Sequence, residues 1–151
     1  MKLRIPLFAC LFVVLGGYLA LTSITATTIE SPEVELTPPS VDLAPHFAAF
    51  SGIWEGSQDR CLPSRLVVEK IHPNWATIVY TWTDHPTGSF KAGWARVRAK
   101  ALPDGTLRWG YPGRFTVRLV DGGTSLEGKM EQGGSVSTFR MNKVGRLAVA
   151  Q

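Results

Sequence analysis

Cysteine is scarce in this chain of 151 residues: only Cys10 and Cys61 occur, and Cys10 falls in an N-terminal apolar run, so the globular part has no partner thiol for an internal disulfide. Cys61 is read as a buried or half-buried thiol, with an intermolecular bridge as the alternative. Charge of one sign is also lacking. Sixteen Lys and Arg face twelve Asp and Glu, and Lys2 and Arg4 lie at the extreme N-terminus. The remaining excess of about +2 is too small to hold nucleic acid through counterion release. Histidine is limited to His46, His72 and His85, in a linker and two turns, at spacings that make no zinc site, so they are read as surface residues.

Catalytic signatures are missing too. There is no Gly-x-Ser-x-Gly elbow, no supported Cys/His pair and no glycine-rich phosphate loop; Gly122-Gly123 and Gly133-Gly134 read as hairpin turns without a following helix. Carboxylates Glu55, Asp59, Glu69 and Asp84 are scattered, and Glu69 with His72 reads as a surface ion pair. The expectation is a protein that is not an enzyme and carries no cofactor or metal.

Long apolar runs are confined to one place. Met1-Lys2-Leu3-Arg4 supplies a positive end and Ile5 to Leu21 an uncharged stretch, close to the ~20 residues that span a bilayer. Residues 1–26 are therefore a signal peptide, cut after Ile24-Thr25-Ala26, or an uncleaved membrane anchor. Either places the rest outside the cytoplasm, secreted or tethered, with this segment its only membrane contact. Cys10 follows Leu7-Phe8-Ala9, but the apolar run continues after it, which argues against lipid attachment. Residues 27–45 carry Pro32, Pro38, Pro39 and Pro45 with Glu30, Glu33, Glu35 and Asp42, the composition of an extended, flexible stalk. Pro45 to Phe50 suits one helical turn, with Phe47 and Phe50 on one face, as a cap over one end of the folded domain.

Turn signals are abundant beyond this point. His72-Pro73-Asn74, Asp84-His85-Pro86-Thr87-Gly88, Pro103-Asp104-Gly105, Pro112-Gly113, Asp121-Gly122-Gly123 and Gln132-Gly133-Gly134 punctuate segments rich in β-branched and aromatic residues. Strands are predicted at Gly52–Ser57, Arg65–Ile71, Ala76–Thr83, Phe90–Ala101, Thr106–Trp109, Phe115–Val120, Ser125–Met130 and Val136–Asn142. Eight strands joined by short turns form an all-β, antiparallel up-and-down barrel over residues 46–144, followed by a tail over 145–151; a two-sheet sandwich is the alternative. Gly93, Ala95, Val97 and Ala99 alternate with charged or bulky neighbours and should face inward, as should Phe115, Val117 and Leu119, and Leu126, Gly128 and Met130. Arg96, Arg98, Lys100 and Arg108 read as a solvated outer face. Ala76 to Trp82 carries bulk on both faces and leaves its inner face open.

Gly52-x-Trp54 after a short helical segment bearing Phe47 and Phe50, answered by Arg140 in the last strand, resembles the lipocalin and wider calycin arrangement. The resemblance covers about Phe47 to Lys143 and implies that Gly52 and Trp54 close one barrel end, with Arg140 packed across the indole. Leu66-Val67-Val68-Glu69 and Ala92-Gly93-Trp94-Ala95-Arg96 are also similar to small exported domains of bacterial proteins, some attached to hydrolases. Gly52 to Gly56 resembles the opening of nitrobindin-like haem barrels, whose iron-ligating histidine comes late in the chain. No histidine follows His85, so haem is not expected by that route.

Five tryptophans and three tyrosines remain to be placed. They either pack the core and outer wall or line an apolar site, in which case Tyr80, Trp82, Trp94 and Trp109 are the candidate ligand-binding residues and Arg96 orients an anionic group. The expected function is an extracytoplasmic, non-enzymatic barrel binding a small apolar or amphipathic ligand. The alternative is an interaction or accessory module that meets an envelope protein through its outer surface.

Overall fold

The computed structural model describes residues 31–59 and 62–144. The readings made on Cys10, the N-terminal apolar run, Cys61 and the C-terminal tail lie outside those residues. Helix α1 (Pro45–Ala48) precedes β1 (Gly52–Gln58), β2 (Leu62–Ile71), β3 (Trp75–Trp82), β4 (Gly93–Ala101), β5 (Thr106–Trp109), β6 (Arg114–Val120), β7 (Ser125–Gln132) and β8 (Ser135–Lys143). These strands form one closed antiparallel barrel in sequence order. Closure is made by β8 on β1, from Trp54↔Lys143 to Gln58↔Phe139. The eight-stranded meander expected from the turn ladder is therefore the observed fold.

Two strands start three residues away from their predicted positions, and β3, β6 and β8 each start one residue earlier. β2 begins at Leu62, because Pro63 pairs with Ser57 below the point where the β3 ladder starts and owes that ladder no N–H. β4 begins at Gly93, because Phe90 to Ala92 are held in the preceding loop: Phe90 O accepts from the His85 amide and the Ala92 amide donates to Asp84 Oδ1 at 2.6 Å. The inner face of β3, open in the sequence, carries Ala76, Ile78 and Tyr80, which join the core that also takes Ala99, Phe115, Val117, Leu126 and Met130.

One end of the barrel is sealed. Leu43, Phe47 and Phe50 bury over it. Trp54 is fully buried there and its Nε1 donates to Phe50 O at 2.8 Å. Lys143 Nζ lies 4.9 Å above the indole centroid and donates to Ala49 O at 2.9 Å. Gly52 has φ of +123°, which L side chains rarely adopt, and a Cβ there would meet Lys143 Cε at 3.1 Å. Lys143, not Arg140, is thus the basic residue across Trp54. Arg140 points outward and pairs with Glu127 and Asp121, since it is one residue out of phase with the inward Phe139 and Met141.

Above this floor the interior is filled by rings. Trp109 and Phe115 stack at 4.7 Å and 5°, and Tyr80 lies 4.8 Å and Phe139 6.0 Å from Phe115.

The wall is uneven. β4 and β5 share two residue pairs, Lys100↔Arg108 and Ala101↔Leu107, while Gly93 to Ala99 pair only with β3. In place of a free stalk, residues 31–39 form an extended strap over the outside of β2 to β4. The Thr37 amide donates to Glu69 O at 2.7 Å, and Glu33 O accepts from Arg96 Nη2 at 2.6 Å. Val67 and Val79, buried yet outside the core, lie on that outer face beside Glu69 and Arg96, the residues that anchor the strap.

Candidate functional site

The end of the barrel opposite α1 is open, and a cavity of about 520 Å³ sits in it. Inward positions at the mouth ends of β1, β2, β3, β7 and β8 build its wall, and the loop joining β3 to β4 and Pro112 complete the rim. The wall has two characters. Leu62, Tyr80, Trp82, Phe90 and Met130 are apolar or aromatic, whereas Gln58, Gln132, Ser135 and Ser137 present amides and hydroxyls. Asp59, His85 and Lys91 stand at the rim.

Tyr80 forms the base of the cavity. It is almost wholly buried, and its Oη donates to Gln58 Oε1 at 3.3 Å. Burial, with a smaller push from the Asp59 carboxylate, raises the phenol pKa from 10.0 to about 12. The phenol is therefore neutral at ordinary pH. With Gln58 Oε1 turned to Tyr80, the amide NH₂ is the end of Gln58 free to donate to a guest.

Trp82 forms the aromatic wall. Its ring packs against the Gly93 backbone, where a Cβ would come within 3.0 Å of the indole, and Nε1 donates to Lys91 O at 2.9 Å. That bond ties the indole to the β3–β4 loop, whose own turn is braced by His85 Nδ1 against Thr87 Oγ1 at 2.7 Å.

Of the five candidate binding residues, the structure brings Tyr80 and Trp82 together on this cavity. Trp109 lies below it, stacked on Phe115, with its buried Nε1 lacking a partner among the described residues. Trp94 and Arg96 point away from it. Trp94 is half exposed on the outer wall, and the Arg96 guanidinium makes a two-point pair with Glu69, Nε to Oε2 at 2.9 Å and Nη2 to Oε1 at 3.0 Å. Arg96 therefore clamps the strap instead of orienting a guest in the cavity, and Glu69 pairs with Arg96, not with His72. His72 is not a plain surface residue either: its Nε2 is buried, with no partner among the described residues, and its ring stacks on Trp75 at 3.9 Å.

Sequence reasoning missed the polar half of the wall. Its signal was present in β1, where the phase that sends Trp54 inward also sends Gln58 inward. Among the described residues, no three His, Cys, Asp or Glu side chains come together to hold a metal ion. In comparisons with known proteins, no family model and no curated protein matches this chain.

Proposed function

We propose that the barrel binds a small amphipathic ligand in its open mouth, without catalysing a reaction. The observation that carries this reading is the divided wall of the cavity: an aromatic side at Trp82 and Phe90 faces an amide and hydroxyl side at Gln58, Gln132 and Ser137. A volume of about 520 Å³ lies within the ~300–1,000 Å³ common for small-molecule sites. Few charges face the base and the Tyr80 phenol is neutral, which favours an uncharged guest with an apolar body and a hydrogen-bond acceptor, such as a carbonyl oxygen, at its deep end. Placement outside the cytoplasm belongs to the same proposal and rests on the charged N-terminus and the apolar run after it.

The test uses the neutral fluorescent amphiphile N-phenyl-1-naphthylamine. Saturable binding is expected, weakened at least about tenfold, or ~1.4 kcal/mol, by Trp82→Ala. Gln58→Leu should not weaken it, because this probe has no acceptor for the Gln58 amide, and should weaken binding of an analogue that carries a carbonyl there. Trp94→Ala should leave binding of the probe unchanged. No saturable binding, or binding lost in Trp94→Ala and kept in Trp82→Ala, would overturn the reading.

A further inference from the structure

The seam between β4 and β5 offers a second surface, independent of the mouth. Leu102 N–H donates to Thr106 O and Ala101 N–H to Asn74 O, so even-numbered residues here turn their backbone groups toward β5 and odd-numbered ones toward β3. Lys100 still finds Arg108 across the seam, but among the described residues Trp94, Arg96 and Arg98 have no strand on that side. Their N–H and C=O groups form a short free edge in an otherwise paired wall.

Side chains beside this edge are of one kind. Arg96, Arg98 and Lys100 on β4 and Arg108 on β5 are exposed on the outer face, and neither strand carries an acidic residue. Trp94 and Tyr111, exposed by 46% and 61%, supply apolar surface toward the mouth end. A second copy of this chain fits badly, because antiparallel pairing of two β4 edges about their centre sets Arg96 against Arg96. The molecule's own strap shows that these cations hold an extended chain: Arg96 Nη2 donates to the Glu33 carbonyl at 2.6 Å, on the face of the wall and not on its edge.

We propose that the free edge of β4 at Trp94, Arg96 and Arg98 takes up an extended, acidic segment of a partner protein by strand addition. Its backbone pairs with the three free residues, and a carboxylate opposite Arg98 lies next to Lys100 and Arg108, where β5 takes over the edge.

A fluorescein-labelled peptide alternating valine and glutamate tests this against the full barrel, read by anisotropy and by amide exchange. Saturable binding that slows exchange at Trp94, Arg96 and Arg98 at least about tenfold is expected. The same peptide N-methylated at alternate residues, and a valine–lysine version, should each bind at least about tenfold more weakly. Arg98→Pro removes a donor only on the free side, so it should lose the peptide and keep N-phenyl-1-naphthylamine in the mouth. Equal binding of the N-methylated peptide would overturn strand addition and leave charge alone. Protection of these amides by self-association without peptide would overturn the acidic partner in favour of a second copy.

Discussion

Tyr80 sits where the filled interior gives way to the cavity, and its phenol makes a pH-dependent contribution that one substitution can expose. Its pKa, raised from 10.0 to about 12, means that between those values the folded protein holds a proton that the unfolded chain releases. Stability from this residue is then fully present below pH ~10 and falls as pH rises toward ~12, by at most roughly 2–3 kcal/mol. Urea unfolding at a series of alkaline pH values should show that fall in the native protein and a shallower one in Tyr80→Phe. At neutral pH the variant should lose only about 1 kcal/mol, one neutral hydrogen bond. The same scale shows how the site could be read from sequence. Alternation that turned Gly93, Ala95, Val97 and Ala99 inward also turned Trp94 and Arg96 outward, so their phase, not their chemistry, decides their place. Gln58 was readable from Trp54 by that rule. His85, Phe90 and Lys91 were not, because they belong to a loop whose position over the mouth is fixed by long-range bonds such as Trp82 Nε1 to Lys91 O.

Among the elements, the strap departs furthest from its sequence. Proline density and exposed glutamates describe a chain that makes neither helix nor sheet, and residues 31–39 make neither. Composition does not disclose that such a chain can still lie on a wall, since its anchors, the Glu69 bulge in β2 and Arg96 in β4, are over thirty residues away in sequence. A protein beginning at residue 40 should be less stable than one beginning at residue 31 by roughly 2–3 kcal/mol, as Val67 and Val79 return to solvent at about 1–1.5 kcal/mol each. Calorimetry checks this, and in the full chain Arg96→Ala should speed exchange of the Thr37 amide. The strands themselves were legible because each turn is punctuated by Gly, Pro, Asn or Asp. Their ends were less so, since Pro63 looks like a boundary but sits inside β2, and Phe90 looks like strand but is bound into a loop.

For the whole molecule, floor, rings and mouth share one continuous set of buried side chains, from Leu43 and Trp54 through Phe115 to Met130 and Phe139. Such a core should melt as a unit, so tryptophan fluorescence and far-ultraviolet circular dichroism are expected to give coincident unfolding curves in urea. Separate midpoints would show that the capped end and the open end fold apart. The ladder between β8 and β1 reaches further than closing the wall. Trp54 pairs with Lys143, and Lys143 Nζ binds the carbonyl of Ala49, so both extremities of the barrel meet at the floor. A circle of strands spliced there has no obligatory first member. Joining Lys143 to Leu43 by a short linker and cutting the Asp104-Gly105 turn would give a circular permutant running from β5 round to β4, its new ends placed at the joint that two residue pairs hold.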